Sequence, residues 1–349
     1  VTPNQPLADS PESSPSALEE RAARAALAGR FVDLVAGKLL ATEEIFRHHL
    51  ASDVPFIQKA GEYIARGGGK RVRPALLLLA ARLLGHDSEE EITYAAVVEL
   101  IHTATLIHDD VIDHATLRRG QTTLNHLWGN NLTVLLGDWI YTKAMQMALA
   151  HGKVEIIQRL CHATLKMTEG ELLALQRLGA PDLGVEEYFE IIDRKTAHLF
   201  AAACSIPSLI PPPRPEAGGV LARYGRALGI CFQLVDDLLD FTARESELGK
   251  PVLSDLKEGK LTLPLLLLLP RVQAMQRRRI EWVLADRGFG RVSPQEILEM
   301  VRVEGTIEEV KAMAEQYAAE AKRELEFFPP SDAREALEFA PDFVLNRRY

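Results

Sequence analysis

The sequence predicts an all-α protein built as a single-domain helical bundle, on three observations. Apolar residues recur at helical spacing from about Leu18 to the end of the 349-residue chain. Glycine and proline clusters cut this pattern into pieces of helix length, among them Gly67-Gly68-Gly69, Gly129-Asn130-Asn131, Gly179-Ala180-Pro181, Pro211-Pro212-Pro213 and Pro329-Pro330. Period-two alternation of β-branched residues is almost absent. The length admits one or two domains, but no linker-like stretch divides the middle, so one helical domain is expected over 17–349.

In chain order, residues 1–16 are rich in Pro, Ser and polar side chains and are expected to form a disordered tail. Helices are then expected over about 18–29, 31–50, 53–66, 72–84, 88–114, 130–149, 153–178, 185–205, 216–242, 260–284, 294–302, 305–326 and 331–345.

Composition bounds the function. Apolar residues are 47% and charged residues 26% of the chain, which is ordinary for a globular protein. The net charge of −9 argues against nucleic acid as a partner. Cys161, Cys204 and Cys231 lack metal-site spacing and sit in apolar helical segments, and are expected to be buried reduced thiols of a cytoplasmic protein. No apolar run is long enough to span a membrane, and the greasiest, Leu261 to Leu269, contains Pro264. The first residues lack the basic and apolar regions of a signal peptide.

The chemistry concentrates in residues 98–119. Leu100, Ile101, Ala104, Leu106, Ile107, Val111 and Ile112 form an apolar helix that ends in Asp109, Asp110 and Asp113. Asp109 and Asp113 are spaced i, i+4 and share a face, where like charges weaken a helix unless a cation lies between them. One such pattern can be a solvated helix end. The same pattern returns in Phe232-Gln-Leu-Val-Asp-Asp-Leu-Leu-Asp240, with Asp236 and Asp240 again i, i+4 and Asp237 between them. Two copies point to Mg²⁺, which takes one or two carboxylates and fills its other positions with water and phosphate oxygens.

Basic residues accompany both clusters. Gly67-Gly68-Gly69-Lys70-Arg71-Val72-Arg73-Pro74 opens a helix, where N–H groups and positive charge favour a phosphate, although the Walker spacing fails. Arg118-Arg119 follow the first cluster; Lys250, Lys257 and Lys260 follow the second; Lys195-Thr196 lie mid-helix. Each alone reads as a solvated surface residue. Together they suit a ligand of high negative charge bridged by metals. His102 lies two turns before Asp109 on roughly the same face, within reach of a phosphate. His108 is rotated by about 100° from Asp109 and reads as a packing residue.

These residues resemble the trans-isoprenyl diphosphate synthases, the polyprenyl synthetase family. The matching pieces are Gly-Gly-Lys-Arg-Val-Arg-Pro (68–74), His-Asp-Asp-Val-Ile-Asp (108–113) with Arg118-Arg119-Gly120, Gly137-Asp138, Lys195-Thr196, the 232–240 motif, Gly249-Lys250, and Asp-Leu-Lys-Glu-Gly-Lys-Leu-Thr-Leu-Pro (255–264). They stand in family order over about residues 30 to 349. The resemblance implies a bundle around a deep central cavity, a homodimer, and Mg²⁺ as cofactor, with three ions when substrate is bound. It implies head-to-tail condensation of isopentenyl diphosphate onto an allylic diphosphate. Asp109, Asp113 and Asp236 would then be direct Mg²⁺ ligands, and Asp110, Asp237 and Asp240 would act through water or support. Arg118, Lys195, Thr196, Gln233, Lys250 and Lys260 would hold the allylic diphosphate. Lys70, Arg71, Arg73, His102 and Arg119 would serve isopentenyl diphosphate.

Product length is expected to follow from the helix before Asp109. Thr105 and Ala104, then Ile101, then Val98 and Val97 lie on the side leading back from the metal end. Short-chain members of the family commonly carry bulky aromatics at the sites of Ala104 and Thr105. Here both residues are small, which points to a deeper tunnel, with Trp139, Tyr141, Met145 or Met147 as its floor. The wording of 99–113 and the closing Phe343 to Tyr349 are most similar to octaprenyl, solanesyl and decaprenyl synthases, with products of about C30 to C50 for quinone side chains and release helped by a membrane. Rival readings are a short-chain (C15–C20) synthase, a class I terpene cyclase, an HD-type phosphohydrolase built on His108-Asp109, and a subunit of a heteromer. The second Asp-Asp-x-x-Asp motif stands against the cyclase and the hydrolase, and all six aspartates stand against a non-catalytic subunit.

Overall fold

The structure, a computed structural model, describes Gly29 and residues 33–118, 120–242 and 252–347. The expected tail over 1–16, the expected helix over 18–29 apart from Gly29, and the candidate residues Arg119 and Lys250 lie outside the described residues.

The elements run α1 (Ala36–His49), α2 (Pro55–Arg66), α3 (Val72–Leu83), α4 (Glu89–Ile112), a two-stranded hairpin of β1 (Leu117–Arg118) and β2 (Gln121–Thr122), α5 (Leu124–Trp128), α6 (Asn130–Leu149), α7 (Val154–Gln176) and α8 (Val185–Ile192). A π turn (Asp193–Ala197) joins α8 to α9 (His198–Ser205), and α10 (Pro215–Thr242) follows. The remainder is α11 (Ser254–Lys257), α12 (Leu263–Leu268), α13 (Ala274–Asp286), α14 (Pro294–Val303), α15 (Thr306–Glu324) and α16 (Asp332–Leu345). The hairpin is antiparallel, with Leu117 opposite Thr122 and Arg118 opposite Gln121.

Two long helices organise the bundle: α4 packs along α6, and α10 packs along α15 and α9. The sequence of α4 explains its place. Its start is fixed by a capping box, in which Glu91 Oε1 accepts from the Ser88 N–H at 2.9 Å. Its middle, Tyr94 to Ile101, is buried almost all round, as a helix apolar on every side must be. Truncating Leu100 there would cost about 2–5 kcal/mol in transfer and cavity terms. At its far end, Asp113 is the C-cap and His114 turns left-handed at φ 52°, so the helix stops just after its acidic pattern. In α10, the buried Tyr224 hydroxyl donates to Leu337 O at 2.7 Å and ties the helix to α16.

The all-α expectation holds; Cys204 and Cys231 are buried as expected, but Cys161 falls on the exposed face of α7; and two helix expectations need correction. The run 185–205 is not one α-helix but α8 and α9 with the π turn between them. The run 260–284 breaks into α12 and α13, because Pro264 occupies the first turn of α12 and Pro270, lacking an N–H, follows its end. The hairpin and α5 are too short to leave a periodic signal; Gly120, at φ 75°, makes the hairpin turn. Among the described residues, no helix is long and apolar enough to cross a membrane.

Candidate active site

The first aspartate cluster lies at the C-terminal end of α4. Asp109 and Asp113 are half-buried and each faces a lysine from elsewhere in the chain. Lys195 Nζ stands 3.9 Å from Asp109 Oδ2 and also pairs with Glu171, while Lys260 Nζ stands 3.1 Å from Asp113 Oδ1 and 3.0 Å from Glu258. Burial pushes the Asp109 carboxyl up to about 6; Lys195 opposes that rise, and Glu171 and Asp113 add to it. Both lysines hold their protons above the ordinary ammonium range, because the facing carboxylates outweigh burial. Asp110 points elsewhere: it is buried and accepts from Arg118 Nε at 2.6 Å, which fixes Arg118 beside the hairpin turn.

The second cluster repeats this division at the C-terminal end of α10. Asp237 and Asp240 are buried and engaged, while Asp236 is half-buried and faces Arg347 Nη1 at 3.6 Å. Asp237 accepts from the Tyr188 hydroxyl at 2.5 Å and from Gln233 Nε2 at 2.8 Å. Burial foremost, with Asp255 adding, lifts its carboxyl to about 8 against those two hydrogen bonds. Asp240 accepts from Ser254 Oγ at 2.7 Å and from the backbone N–H groups of Ser254 and Asp255 at 3.1 Å each, so it caps α11.

Two connections bring the clusters together. Thr196 Oγ1 donates to Gln233 Oε1 at 2.8 Å, so the π turn that presents Lys195 to Asp109 is tied to Asp237 through Gln233. In parallel, the Lys260 backbone N–H donates to Asp255 O at 2.8 Å, so the segment capped by Asp240 carries Lys260 to Asp113. The π turn is clamped between glycines. A Cβ at Gly170 of α7 would lie 2.6 Å from Lys195 N, and one at Gly229 of α10 would lie 2.7 Å from Ala197 Cα. A π turn offsets the helix ladder by one residue, here where Lys195 and Thr196 leave it.

The loop before α3 reaches the same region through aromatic rings. Arg73 lies 4.5 Å from the Phe200 ring centre, Phe200 and Phe232 are 5.3 Å apart, and Arg347 lies 4.6 Å from Phe232. Arg71, expected to help bind substrate, is paired with carboxylates in this structure. Its backbone is left-handed at φ 46°, and its guanidinium is taken by Glu43 and Glu99 at 2.8 Å each over the Phe46 ring. It anchors α1 and α4. Lys70 is exposed and His102 half-buried. His108 is a packing residue as expected: it contacts Asp138 at 3.3 Å, and its ring fills the place a Cβ at Gly137 would take. Sequence reasoning missed Glu171, Tyr188 and Ser254; Glu171, beside the clamp glycine Gly170 in mid-helix, was the one that left a signal.

The donors fit Mg²⁺. Carboxylates at helix C-termini are disfavoured by the helix dipole by about 0.3–1 kcal/mol each, and cations are favoured there. Protein cations already stand at 3.1–3.9 Å from Asp113, Asp236 and Asp109. The donor atoms are all hard oxygens, which suits Mg²⁺. Among the described residues, no three His, Cys, Asp or Glu side chains converge on one point, so an ion here would complete its shell with water and phosphate oxygens.

The polyprenyl synthetase family model matches residues 54–301. The chain belongs to the polyprenyl synthetase family. It is 40% identical over 305 residues to octaprenyl diphosphate synthase of Escherichia coli, covering 87% of this chain and 94% of that protein. It is 36% identical over 312 residues to a short chain isoprenyl diphosphate synthase of Methanothermobacter thermautotrophicus, covering 88% and 95%. A polyprenyl synthase from Caulobacter crescentus, solved with calcium and isoprenyl diphosphate, superposes with a TM-score of 0.87 at 35% identity, covering 92% of this chain and 98% of that one. The protein is therefore a prenyltransferase of the all-α isoprenoid synthase fold. This polyprenyl synthetase chain also separates its three candidate chain-length residues. Ile101 and Ala104 are fully buried in the core, whereas Thr105 is half-buried, one turn before Asp109 on its face.

Proposed function

We propose that the protein condenses isopentenyl diphosphate head to tail onto an allylic diphosphate, with Mg²⁺, in the cytoplasm, to give a long-chain all-trans polyprenyl diphosphate of about C30 to C50 for quinone side chains. The observation that carries this reading is that Lys195 and Lys260 face Asp109 and Asp113 of the first cluster while hydrogen bonds through Thr196-Gln233 and through Asp255 tie their segments to Asp237 and Asp240 of the second. That arrangement suits a diphosphate leaving group, whose negative charge grows as the allylic C–O bond breaks. Mg²⁺, when bound, supplies positive charge to that leaving group.

The chain's own groups account for the rest. Asp109, Asp113 and Asp236 would hold the metal: they are half-buried and face lysine or arginine cations that the metal can replace, whereas Asp110, Asp237 and Asp240 are buried and hydrogen-bonded into the fold. Lys195, Lys260 and Arg118 are placed for the allylic diphosphate, preorganised by the carboxylates they face. Arg73, with Lys70 and His102, serves isopentenyl diphosphate from the α3 side. Its alkene attacks the allylic carbon, a C–C bond forms, and the proton lost passes to the departing diphosphate. The apolar core beneath the clusters keeps water from the cation.

Identity to the octaprenyl enzyme favours a long product, and small Thr105 leaves the path from Asp109 open. Exposed leucines support a homodimer: Leu132 and Leu135 on α6, and Leu165, Leu172 and Leu175 on α7, form apolar stripes at helical spacing.

The test uses purified protein with Mg²⁺, farnesyl diphosphate and labelled isopentenyl diphosphate, with products dephosphorylated and sized. A ladder ending at C30 or beyond is expected. A stop at C20, or at C15 from a shorter allylic primer, overturns the long-chain part, and no extension with any allylic primer, alone or with a partner subunit, overturns the reaction.

A further inference from the structure

We propose that Tyr188 is a positioning residue for the second aspartate cluster, its hydroxyl locking Asp237 so that the neighbouring Asp236 is held toward the substrate diphosphate. The proposal rests on the prenyl-transfer reading above and deepens it.

Tyr188 sits one turn into α8, buried, with its ring edge-on to Phe189 at 5.5 Å. Phe189 in turn lies against Tyr317 of α15 at 6.0 Å. The ring is thus fixed by packing, and its single hydroxyl proton goes to Asp237 Oδ2 at 2.5 Å. The other oxygen of Asp237 accepts from Gln233 Nε2 at 2.8 Å, and Gln233 Oε1 accepts from Thr196 at 2.8 Å. With Asp237 ionised the donor and acceptor roles in this chain follow from one another: a carboxylate only accepts, so Gln233 presents its NH₂ to it and its carbonyl to Thr196.

The geometry of a helix turns that anchor into an orientation. Adjacent residues differ by about 100° around the axis. Drawing Asp237 into the core therefore places Asp236 on the next face, where it is half-buried. One turn on, Asp240 is fixed by Ser254 and Asp255. The end of α10 is thus pinned at two positions after Asp236. An apolar side chain at 237 would bury with no need of partners, whereas a buried carboxylate costs stability unless each oxygen is satisfied. What the carboxylate and its tyrosine add is a fixed rotation of the helix end and a link to the π turn that carries Lys195.

Tyr188→Phe removes only the hydroxyl. In steady-state kinetics the variant is expected to raise KM for the allylic substrate and the half-saturating Mg²⁺ concentration by roughly tenfold, with KM for isopentenyl diphosphate and kcat changed less than about twofold. Calorimetry with an unreactive allylic thiodiphosphate is expected to show Mg²⁺-dependent binding weakened by the same factor. In a double-mutant cycle, the effects of Tyr188→Phe and Asp237→Leu, which removes the acceptor, are expected to overlap, because they break one contact. Should Tyr188→Phe not fold, Asp237→Leu alone carries the same expected split. An active wild type alongside a Tyr188→Phe variant that shows only a lower melting temperature overturns the proposal, as does full additivity in the cycle. A wild-type protein that neither binds the thiodiphosphate nor extends any primer overturns the functional reading, and this proposal with it.

Discussion

Lys260 and Asp113 stand 147 positions apart in the chain, and their side chains meet at 3.1 Å. Lys195 stands in the same relation to Asp109, at 3.9 Å. The two members of one i, i+4 aspartate pair thus each face an ammonium, one from the segment after α11 and one from the π turn. Two cations opposite two anions form a site whose counter-charge is already in place when a diphosphate arrives.

Removing one of these charges should show as lost affinity for the allylic diphosphate. A hydrogen bond to a charged group contributes about 1.5–3 kcal/mol. Lys260→Gln is therefore expected to lower kcat/KM for the allylic substrate by roughly 10- to 100-fold. KM for isopentenyl diphosphate should change much less, and initial-rate measurements with each substrate varied in turn would check the split.

The Asp109 carboxyl sets a pH dependence. Burial lifts it from the ordinary aspartate value of 3.8 to about 6. Between those values the folded apo-protein holds a proton that the unfolded chain has released, so this group makes the apo-protein less stable as pH rises through about 6. A metal ligand must be deprotonated, so Mg²⁺ competes with that proton below about 6 and no longer does above it. Thermal unfolding with and without Mg²⁺ and an allylic thiodiphosphate should therefore show a stabilisation that grows from pH 5.5 to 7.5 and then levels. A stabilisation that is flat across that range would contradict the assignment of Asp109 as a ligand.

The π turn depends on the two glycines that clamp it. Because a Cβ at Gly170 would stand 2.6 Å from the backbone nitrogen of Lys195, Gly170→Ala must move α7 or the turn. Overpacking of this kind costs about 1–3 kcal/mol. Melting temperature should fall, and because the displaced residue is Lys195 itself, KM for the allylic substrate should rise as well. Gly219→Ala on α10, where the nearest contact is an arginine tip at 3.6 Å, is the control expected to leave both unchanged.

What the sequence made legible, and what it hid, divides along one physical line. Long helices with a sustained 3.6-residue period, such as 130–149, were readable to the residue, and so were the aspartate pairs, because i, i+4 spacing is local. The π turn was not, since one extra residue in a turn changes neither composition nor period; its cause lies in glycines on other helices. The segment 260–284 read as one helix because its leucines satisfy the period, although Pro264 and Pro270 break it. Arg71 sits in a basic loop like a phosphate ligand, yet its two carboxylate partners are each 28 positions away. Tyr188 could not be singled out for the same reason: its partner lies 49 positions on.

The same division separates the two candidates proposed for product length. In sequence Ala104 and Thr105 are equivalent, both small and both about one turn before Asp109. In the structure Ala104 is buried in the core, at one i, i+4 step from His108, whose ring fills the space beside Gly137. Thr105 is one such step from Asp109, half-exposed, with its hydroxyl turned back onto His102 O at 2.8 Å. A large side chain at 105 can therefore project along the face that carries the metal ligand, while one at 104 must displace packed neighbours. Thr105→Phe is expected to shorten the product by several isoprene units with little change in melting temperature. Ala104→Phe is expected to destabilise the fold by about 1–3 kcal/mol and to affect length only through that disturbance. Chromatographic sizing of the products beside thermal unfolding of both variants separates the two. If Thr105→Phe gives the wild-type ladder, the floor must lie elsewhere, and the half-buried Trp139 and Tyr141 on α6 become the residues to change.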